Sequence, residues 1–414
     1  EYIKDCGTPG RIDKVNLHYD QGYIKNCSIE LKQPCIFLDR DGVINEEIGH
    51  LNNCEEFKLL PGIGEAIRKI NHSKYRVIII TNQPVIARGD CTLDELKQIH
   101  NKMETLLGKE GAYIDRIYFC PHHPDSGFEG EIESLKIDCD CRKPKIGLVE
   151  KAEAEFNIDL NKSWFIGDSS TDVMTARNAG IPSVLVETGY AGLDDSYSHS
   201  PDYSLPNLMS ATNFILNYDD LRKLCYQKTQ NIKPGDFLFI GGLSRVGKSN
   251  FSNAINFNLA SRNLDSAVIS LDRWLLNEDD RGKTVIGRYE IIEIKNVISK
   301  LLNRSEDIFL DCPIYHKLSK KRHLSKETIH IKKDAIIIVE GTISLILSEM
   351  VPSNRKIAIS LELQENYRIE RFFNEYRRRG YHDDQIKELY SERDQDEHSI
   401  IRESLKNADI HISL

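Results

Sequence analysis

"FLFIGGLSRVGKSN", residues 237–250, passes from a short apolar run into Gly242-x-x-x-x-Gly247-Lys248-Ser249. It continues into "SNFSNAINFNLASRN", where apolar residues recur near helical spacing. A strand, a glycine-rich loop and a helix in that order make a P-loop, in which backbone N–H groups and the helix N-terminus receive phosphates. The lysine reaches the β- and γ-phosphates, and the hydroxyl that follows holds Mg²⁺. Gly242, Gly247, Lys248 and Ser249 are therefore the expected ATP-binding residues, with Ser249 also a Mg²⁺ ligand.

Toward the C-terminus the runs "SAVISLD", "DIFLDCP", "AIIIVEG" and "KIAISLEL" alternate with helical segments, the pattern of a parallel sheet with crossover helices. Asp272 closes the first of these runs and is placed to accept a proton from a substrate hydroxyl. Asp311 and Tyr315, in "DIFLDCPIYHK", are expected to bind the acceptor, and Glu340 to be the acidic partner of the metal. "NYRIERFFNEYRRRGY" carries Arg368 and Arg371 on a helix and runs on into Arg377 and Arg378. It reads either as a solvated charged helix or as a lid whose Arg377 and Arg378 contact ATP.

This order resembles the uridine kinase and phosphoribulokinase group of P-loop kinases over about 235–414. The resemblance implies ATP-dependent phosphoryl transfer, with Asp272 as the base, and leaves the acceptor open.

The first half shows the same alternation. "CIFLD", "RVIIITN", "RIYFC", "SWFIGD" and "SVLVETG" each end in a polar or small residue, and in such sheets the chemistry lies at the carboxyl ends of the strands. "FLDRDGVIN" sets Asp39 and Asp41 two residues apart, one suited to attack phosphorus and the other to move a proton. By itself this is also a turn or a calcium loop. Thr81 adds a hydroxyl beside Asn82, Arg142 and Lys143 add cations, and Asp168 with Asp172 adds carboxylates suited to Mg²⁺.

"FLDRDGVIN", "TNQPVIARG", "YFCPHHP", "CDCRKPKIG" and "GDSSTDV" together resemble the haloacid dehalogenase (HAD) superfamily, in its histidinol-phosphatase and heptose-bisphosphate phosphatase branch. The resemblance implies that Asp39 is the nucleophile and Asp41 the general acid/base. Thr81 and Lys143 would then steady the phosphoryl group, and Asn82 and Arg142 would bind substrate. Mg²⁺ would be held by Asp39, Asp168, Asp172 and the Asp41 carbonyl. Cys120, His122, Cys139 and Cys141 match the zinc loop of that branch, and a closed set of three sulfurs and one imidazole makes the zinc structural. His123 competes with His122 for the fourth place. Val43, Pro84, Val85 and the long insert "DSGFEGEIESL" depart from the branch and leave the phosphate ester open.

The opening "EYIKDCGTPGRIDKV" resembles the end of sugar-1-phosphate nucleotidyltransferases, which implies that such a domain precedes it; the alternative is a simple leader. The expected organisation is 1–33 leader, 34–217 phosphatase, 218–234 linker and 235–414 kinase, two doubly wound α/β domains in 414 residues.

The net charge of −9 falls wholly on 1–234, because 235–414 holds 28 basic and 28 acidic residues. Neither half has the basic excess of a polynucleotide binder. No apolar run nears the roughly 20 residues of a membrane span, no signal peptide opens the chain, and the scattered cysteines suit a reducing, cytoplasmic setting. A kinase and a phosphatase on one chain are productive when they act on different hydroxyls of one molecule. The expected substrates are small sugar or polyol phosphates, on the way to a nucleotide-activated sugar for surface polysaccharide. The rival readings are a polynucleotide 5′-kinase/3′-phosphatase, disfavoured by the zinc loop and the charge, and an ATP-sensing module that gates the phosphatase.

Overall fold

The computed structural model describes residues 7–20, 28–194, 196–197, 199–316, 320–378 and 380–413. The chain divides into two compact units, Glu1–Tyr218 and Asp219–Leu414, each an α/β unit on a parallel sheet.

In the first unit six parallel strands, β1 (Cys35–Leu38), β2 (Arg76–Asn82), β3 (Arg116–Cys120), β4 (Trp164–Gly167), β5 (Ser183–Val186) and β6 (Tyr203–Leu205), lie in the order β3-β2-β1-β4-β5-β6. Every residue of β1 and β4 is buried, which is why they read as unbroken apolar runs: helices cover both faces. The strand order reverses between β1 and β4, so the crevice at their carboxyl ends is the natural ligand site. A capping box, Thr92 with Glu95, starts the long helix Leu93–Lys109, and a second, Ser169 with Asp172, starts Ser170–Asn178 just after β4. Such caps contribute about 1 kcal/mol each.

In the second unit β7 (Phe237–Gly241), β8 (Ser266–Ser270), β11 (Ile336–Glu340), β12 (Lys356–Glu362) and β13 (Ile410–Ser413) form a parallel sheet in the order β13-β12-β7-β11-β8. Between β8 and β11 in the chain, β9 (Ile308–His316) and β10 (Lys321–Ile331) form a separate two-stranded antiparallel sheet. The "DIFLDCP" run, expected within the parallel sheet, thus belongs to a separate hairpin. Its alternate residues are wet, Phe309 being 67% exposed, whereas a central parallel strand is buried on both faces.

The 218–234 stretch, expected as a linker, contains the helix Tyr218–Thr229, with Cys225 and Thr229 buried. Its charged residues occupy the outer face while these two turn inward. In the 1–33 leader the helix Pro9–Asp20 buries no residue, and residues 1–6 and 21–27, including the Tyr2-Ile3 part of the nucleotidyltransferase-like segment, lie outside the described residues. Among the described residues no helix is long and apolar enough to cross a membrane.

Candidate active sites and a candidate zinc site

The first site forms where β1 and β4 end side by side. The Asp39 N–H donates to Ile166 O at 2.9 Å, which ties the residue after β1 to β4, and Asp168 follows β4 directly. Gly42 has φ 75°, and a Cβ there would lie 2.1 Å from Asp168 Oδ2. Only glycine lets the Asp-Arg-Asp-Gly turn approach the second carboxylate this closely. Asp168 Oδ2 accepts from the Tyr190 N–H at 2.7 Å.

Lys143 joins the group from the loop after β3. Its Nζ lies 2.9 Å from Asp39 Oδ1 and 2.5 Å from Asp172 Oδ1, and the ammonium is buried. Asn82, expected to touch substrate, instead clamps that loop. Its Nδ2 donates to Lys143 O (3.1 Å) and its Oδ1 accepts from the Lys143 N–H (3.0 Å). A carboxamide at the end of β2 can satisfy both backbone groups at once, so its polar atoms face the loop. Asp172 likewise has both oxygens engaged, Oδ1 by Lys143 and Oδ2 by the Ser169 hydroxyl at 2.6 Å. Arg142 Nη1 donates to His122 O at 3.2 Å.

Asp41 turns to the other side of the turn. Arg40, fully buried, grips it through Nη2 at 2.7 and 2.9 Å and Nε at 3.1 Å, while Asn45 and Gln83 donate at 2.8 and 3.0 Å. Gln83 Nε2 also donates to Thr81 Oγ1 at 3.0 Å, linking the two residues through one amide. Arg40, Asn45 and Gln83 were not singled out in the sequence, although Arg40 sits between the two aspartates.

The electrostatics separate the carboxylates. Burial, only partly offset by Lys143, pushes Asp39 up to about 7, with Asp172 and Asp41 adding to the rise. Burial and the charges of Asp172 and Asp39 push Asp168 up to about 9. Burial alone would also raise Asp41, but the Arg40 charge together with hydrogen bonds from Asn45, Arg40 and Gln83 outweighs it and holds the carboxyl below its ordinary range. Lys143 is raised, because Asp172 and Asp39 outweigh its burial. Asp39, Asp168 and Asp172 converge to within 4.8 Å around one ammonium. A divalent cation would offset that surplus of buried negative charge, so an oxygen-liganded ion such as Mg²⁺ fits.

Cys120, His122, Cys139 and Cys141 also converge. The three sulfurs lie 3.1–3.5 Å apart, and His122 Nδ1 lies 3.2 Å from Cys141 Sγ and 3.8 Å from Cys120 Sγ. Three thiols and one imidazole nitrogen at this spacing suit a tetrahedral zinc. His123 points elsewhere: its Nε2 meets Arg88 at 3.3 Å and its ring packs edge-on to Phe128, a residue of the long insert.

In the second unit Gly242 leaves β7 with φ 142°, where a Cβ would lie 2.3 Å from Leu361 O. Gly247, φ 96°, caps the helix Lys248–Ala260. Lys248 is buried and donates to Gly242 O (3.2 Å) and Leu243 O (2.8 Å) of its own loop. Burial lowers its pKa against the pull of Glu340, Asp272 and Glu397. Ser249 Oγ donates to Glu340 Oε1 at 3.3 Å, since Glu340 ends β11 beside β7. Asp272 lies in the turn Leu271–Trp274 after β8, the neighbour of β11 on its other side.

The expected acceptor and lid contacts come out differently. Asp311 is exposed on the hairpin and accepts from Thr328 Oγ1 at 2.6 Å, and Tyr315 accepts from Arg281. Arg377 forks onto Asp383 at 2.7 and 2.9 Å on the surface, and the Arg378 side chain lies outside the described residues. Arg371 meets the P-loop, donating to Arg245 O at 3.3 Å. Asp383 sits six residues beyond Arg377, at the start of the helix Asp383–Ser404.

A HAD-hydrolase-like family model matches residues 140–211. A D-glycero-D-manno-heptose-1,7-bisphosphate 7-phosphatase from Thermosynechococcus vestitus is 34% identical over 195 residues, 45% of this chain and 98% of the relative. The chain belongs to the heptose-bisphosphate phosphatase family. The family's part of the chain is the first unit, which holds the carboxylate cluster. A D,D-heptose 1,7-bisphosphate phosphatase from B. bronchiseptica, solved with magnesium and phosphate, is 31% identical over 45% of this chain and 99% of that one, with a TM-score of 0.40. A possible uridine kinase from Bacillus stearothermophilus is 19% identical over 47% and 97%, with a TM-score of 0.31. At those scores neither structural likeness bears on function.

Proposed function

We propose that the chain is a bifunctional enzyme whose first unit hydrolyses a phosphomonoester of a sugar or polyol bisphosphate and whose second transfers the ATP γ-phosphoryl group to a hydroxyl of a related small molecule. The observation that carries the phosphatase half is Lys143 between Asp39 and Asp172, with Asp168 beside them, at the strand-order switch of a member of the heptose-bisphosphate phosphatase family.

In this reading Asp39 attacks phosphorus and becomes an aspartyl phosphate as the P–O bond to the sugar breaks. The Lys143 ammonium offsets charge on the transferring group, and the Thr81 hydroxyl, oriented by Gln83, donates to a phosphoryl oxygen. Asp41 gives a proton to the leaving oxygen and takes one from the water that then attacks the phosphoenzyme. Held low by Arg40, Asp41 is a reluctant acid at rest, and the incoming dianionic phosphate raises its proton affinity. Asp39 and Asp168 would hold Mg²⁺ with the Asp41 carbonyl, while Asp172 fixes Lys143. The ion supplies charge neutralisation at the phosphoryl oxygens. Zinc on Cys120, His122, Cys139 and Cys141 would brace the loop that delivers Arg142 and Lys143.

The kinase half rests on the P-loop geometry with Glu340 beside Ser249. Lys248 and Ser249 would meet ATP and its Mg²⁺, and Asp272 would accept the proton of the acceptor hydroxyl. The position of Asp272 after β8, on the far side of β11 from β7, supports that role. The two reactions together fit a route to a sugar phosphate for nucleotide activation, with a nucleotidyltransferase as the partner activity.

The test is a panel of sugar and polyol mono- and bisphosphates and a 3′-phosphorylated oligonucleotide, with and without ATP, followed by phosphorus NMR. Turnover is expected on sugar bisphosphates, with Asp39→Asn silencing phosphate release alone and Lys248→Ala silencing transfer alone. Turnover confined to the oligonucleotide would replace this reading with end repair.

A further inference from the structure

The P-loop carries an internal anion. The N–H of Ser244, third residue of the Gly242–Lys248 loop, donates to Glu397 Oε1 at 2.8 Å. Glu397 lies 153 residues further along, in the helix Asp383–Ser404, and is only 4% exposed. Its other oxygen sits 3.8 Å from Arg288 Nη1. Two further contacts bind the same helical hairpin to the next residue of the loop. Arg371, on the helix Glu365–Arg378, donates to Arg245 O at 3.3 Å, and Glu375 of that helix is ion-paired with the Arg245 side chain. Arg245 itself has φ 69°, a left-handed backbone that a non-glycine residue adopts at a cost and keeps only where its surroundings hold it there.

The hairpin is a packed unit. Phe372, Tyr376 and Ile386 form its own apolar core, and Arg368 Nη2 bridges Tyr390 Oη at 2.6 Å and His398 Nε2 at 2.8 Å. Glu397 lies one residue from that bridge, on the helix Asp383–Ser404.

P-loop amides bind phosphate because they point an N–H at an anion, and a carboxylate satisfies the same donor. A phosphate group drawing on the Ser244 N–H must displace Glu397, and a triphosphate anywhere in the loop repels a carboxylate buried beside it. We infer that Glu397 is a built-in competitor of the nucleotide, so that ATP binding and release of the Glu397 to Ser244 contact are linked. By reciprocity, whatever holds Glu397 on the loop weakens ATP, and ATP weakens that contact to the same extent.

This rests on the reading of the loop as an ATP site. The test is the affinity of the whole chain for the Mg²⁺ complex of a non-hydrolysable ATP analogue, by calorimetry, in wild type and Glu397→Gln. Glutamine keeps the shape and can still accept from Ser244 but carries no charge. Binding about tenfold tighter is expected, equivalent to about 1.4 kcal/mol. Glu397→Ala, which removes the acceptor, is expected to shift affinity the same way and stands in should the glutamine variant not fold. Equal or weaker binding by the variants, with wild type binding measurably, overturns the competitor role and leaves the ATP site standing. Absence of binding by wild type and variants alike overturns both.

Discussion

Lys143→Met is the most informative single change in the first unit. The ammonium is nearly solvent-free and lies 2.9 and 2.5 Å from two carboxylate oxygens, one of them on the fully sequestered Asp172. Methionine fills a similar volume but leaves those carboxylates uncompensated, and breaking a buried charge pair from one side costs about 3–5 kcal/mol. Asp172→Asn removes the charge that faced the lysine while its Oδ1 can still accept from Ser169, so the double variant should regain all but about 1–2 kcal/mol. The assay is urea unfolding in magnesium-free buffer, followed by Trp164 fluorescence in a Trp274→Phe background, since the chain has two tryptophans, one in each unit. Both variants should lack phosphatase activity, so stability and turnover separate. A Lys143→Met protein as stable as the parent, or a double variant no more stable than Lys143→Met, would refute the argument that this cation balances buried charge.

Three further outcomes follow from other parts of the molecule. Asp41, held low by Arg40 with help from Asn45 and Gln83, contributes stability that is complete above about pH 4 and is lost as pH falls through its folded value. The stability gap between wild type and Arg40→Met should therefore narrow from pH 5 to pH 3, and a constant gap would contradict the assignment. Gly242→Ala places a Cβ against Leu361 O and should abolish analogue binding and lower the melting temperature of the second unit; normal binding would show that the loop tolerates the clash. Arg377→Ala should change analogue affinity by less than about twofold, because an exposed pair with Asp383 is worth little; a tenfold loss would return Arg377 to the ATP site.

What could be read in the sequence was what local chemistry dictates. Strand ends carrying Asp39, Thr81, Asp168 and Glu340 were legible because buried parallel strands are unbroken apolar runs and the polar residue that ends each one stands out. The thiols and His122 were legible because tetrahedral ligation needs short spacings, and Gly242 because a strand, a loop and a helix leave it one conformation. Partners set by tertiary contact were not. Nothing near Asn82 announces that its amide clamps the Lys143 backbone, and nothing near Glu397 announces Ser244. The 308–316 run has the composition of a core strand, yet its neighbour β10 begins close behind it in the chain, at Lys321, and local antiparallel pairing won over insertion into the sheet. Arg377 is a different case: its charge alone suggests a phosphate, whereas its partner in the structure is Asp383, close in sequence.

In the proposed mechanism Asp39 forms a covalent bond to phosphorus. Reducing the enzyme with borohydride during turnover of a sugar bisphosphate converts an aspartyl phosphate to homoserine, which peptide mass spectrometry locates. Homoserine is expected at position 39 alone, dependent on substrate and absent without Mg²⁺. Turnover with Asp39 unmodified, or homoserine at Asp41 or Asp168 instead, would contradict it.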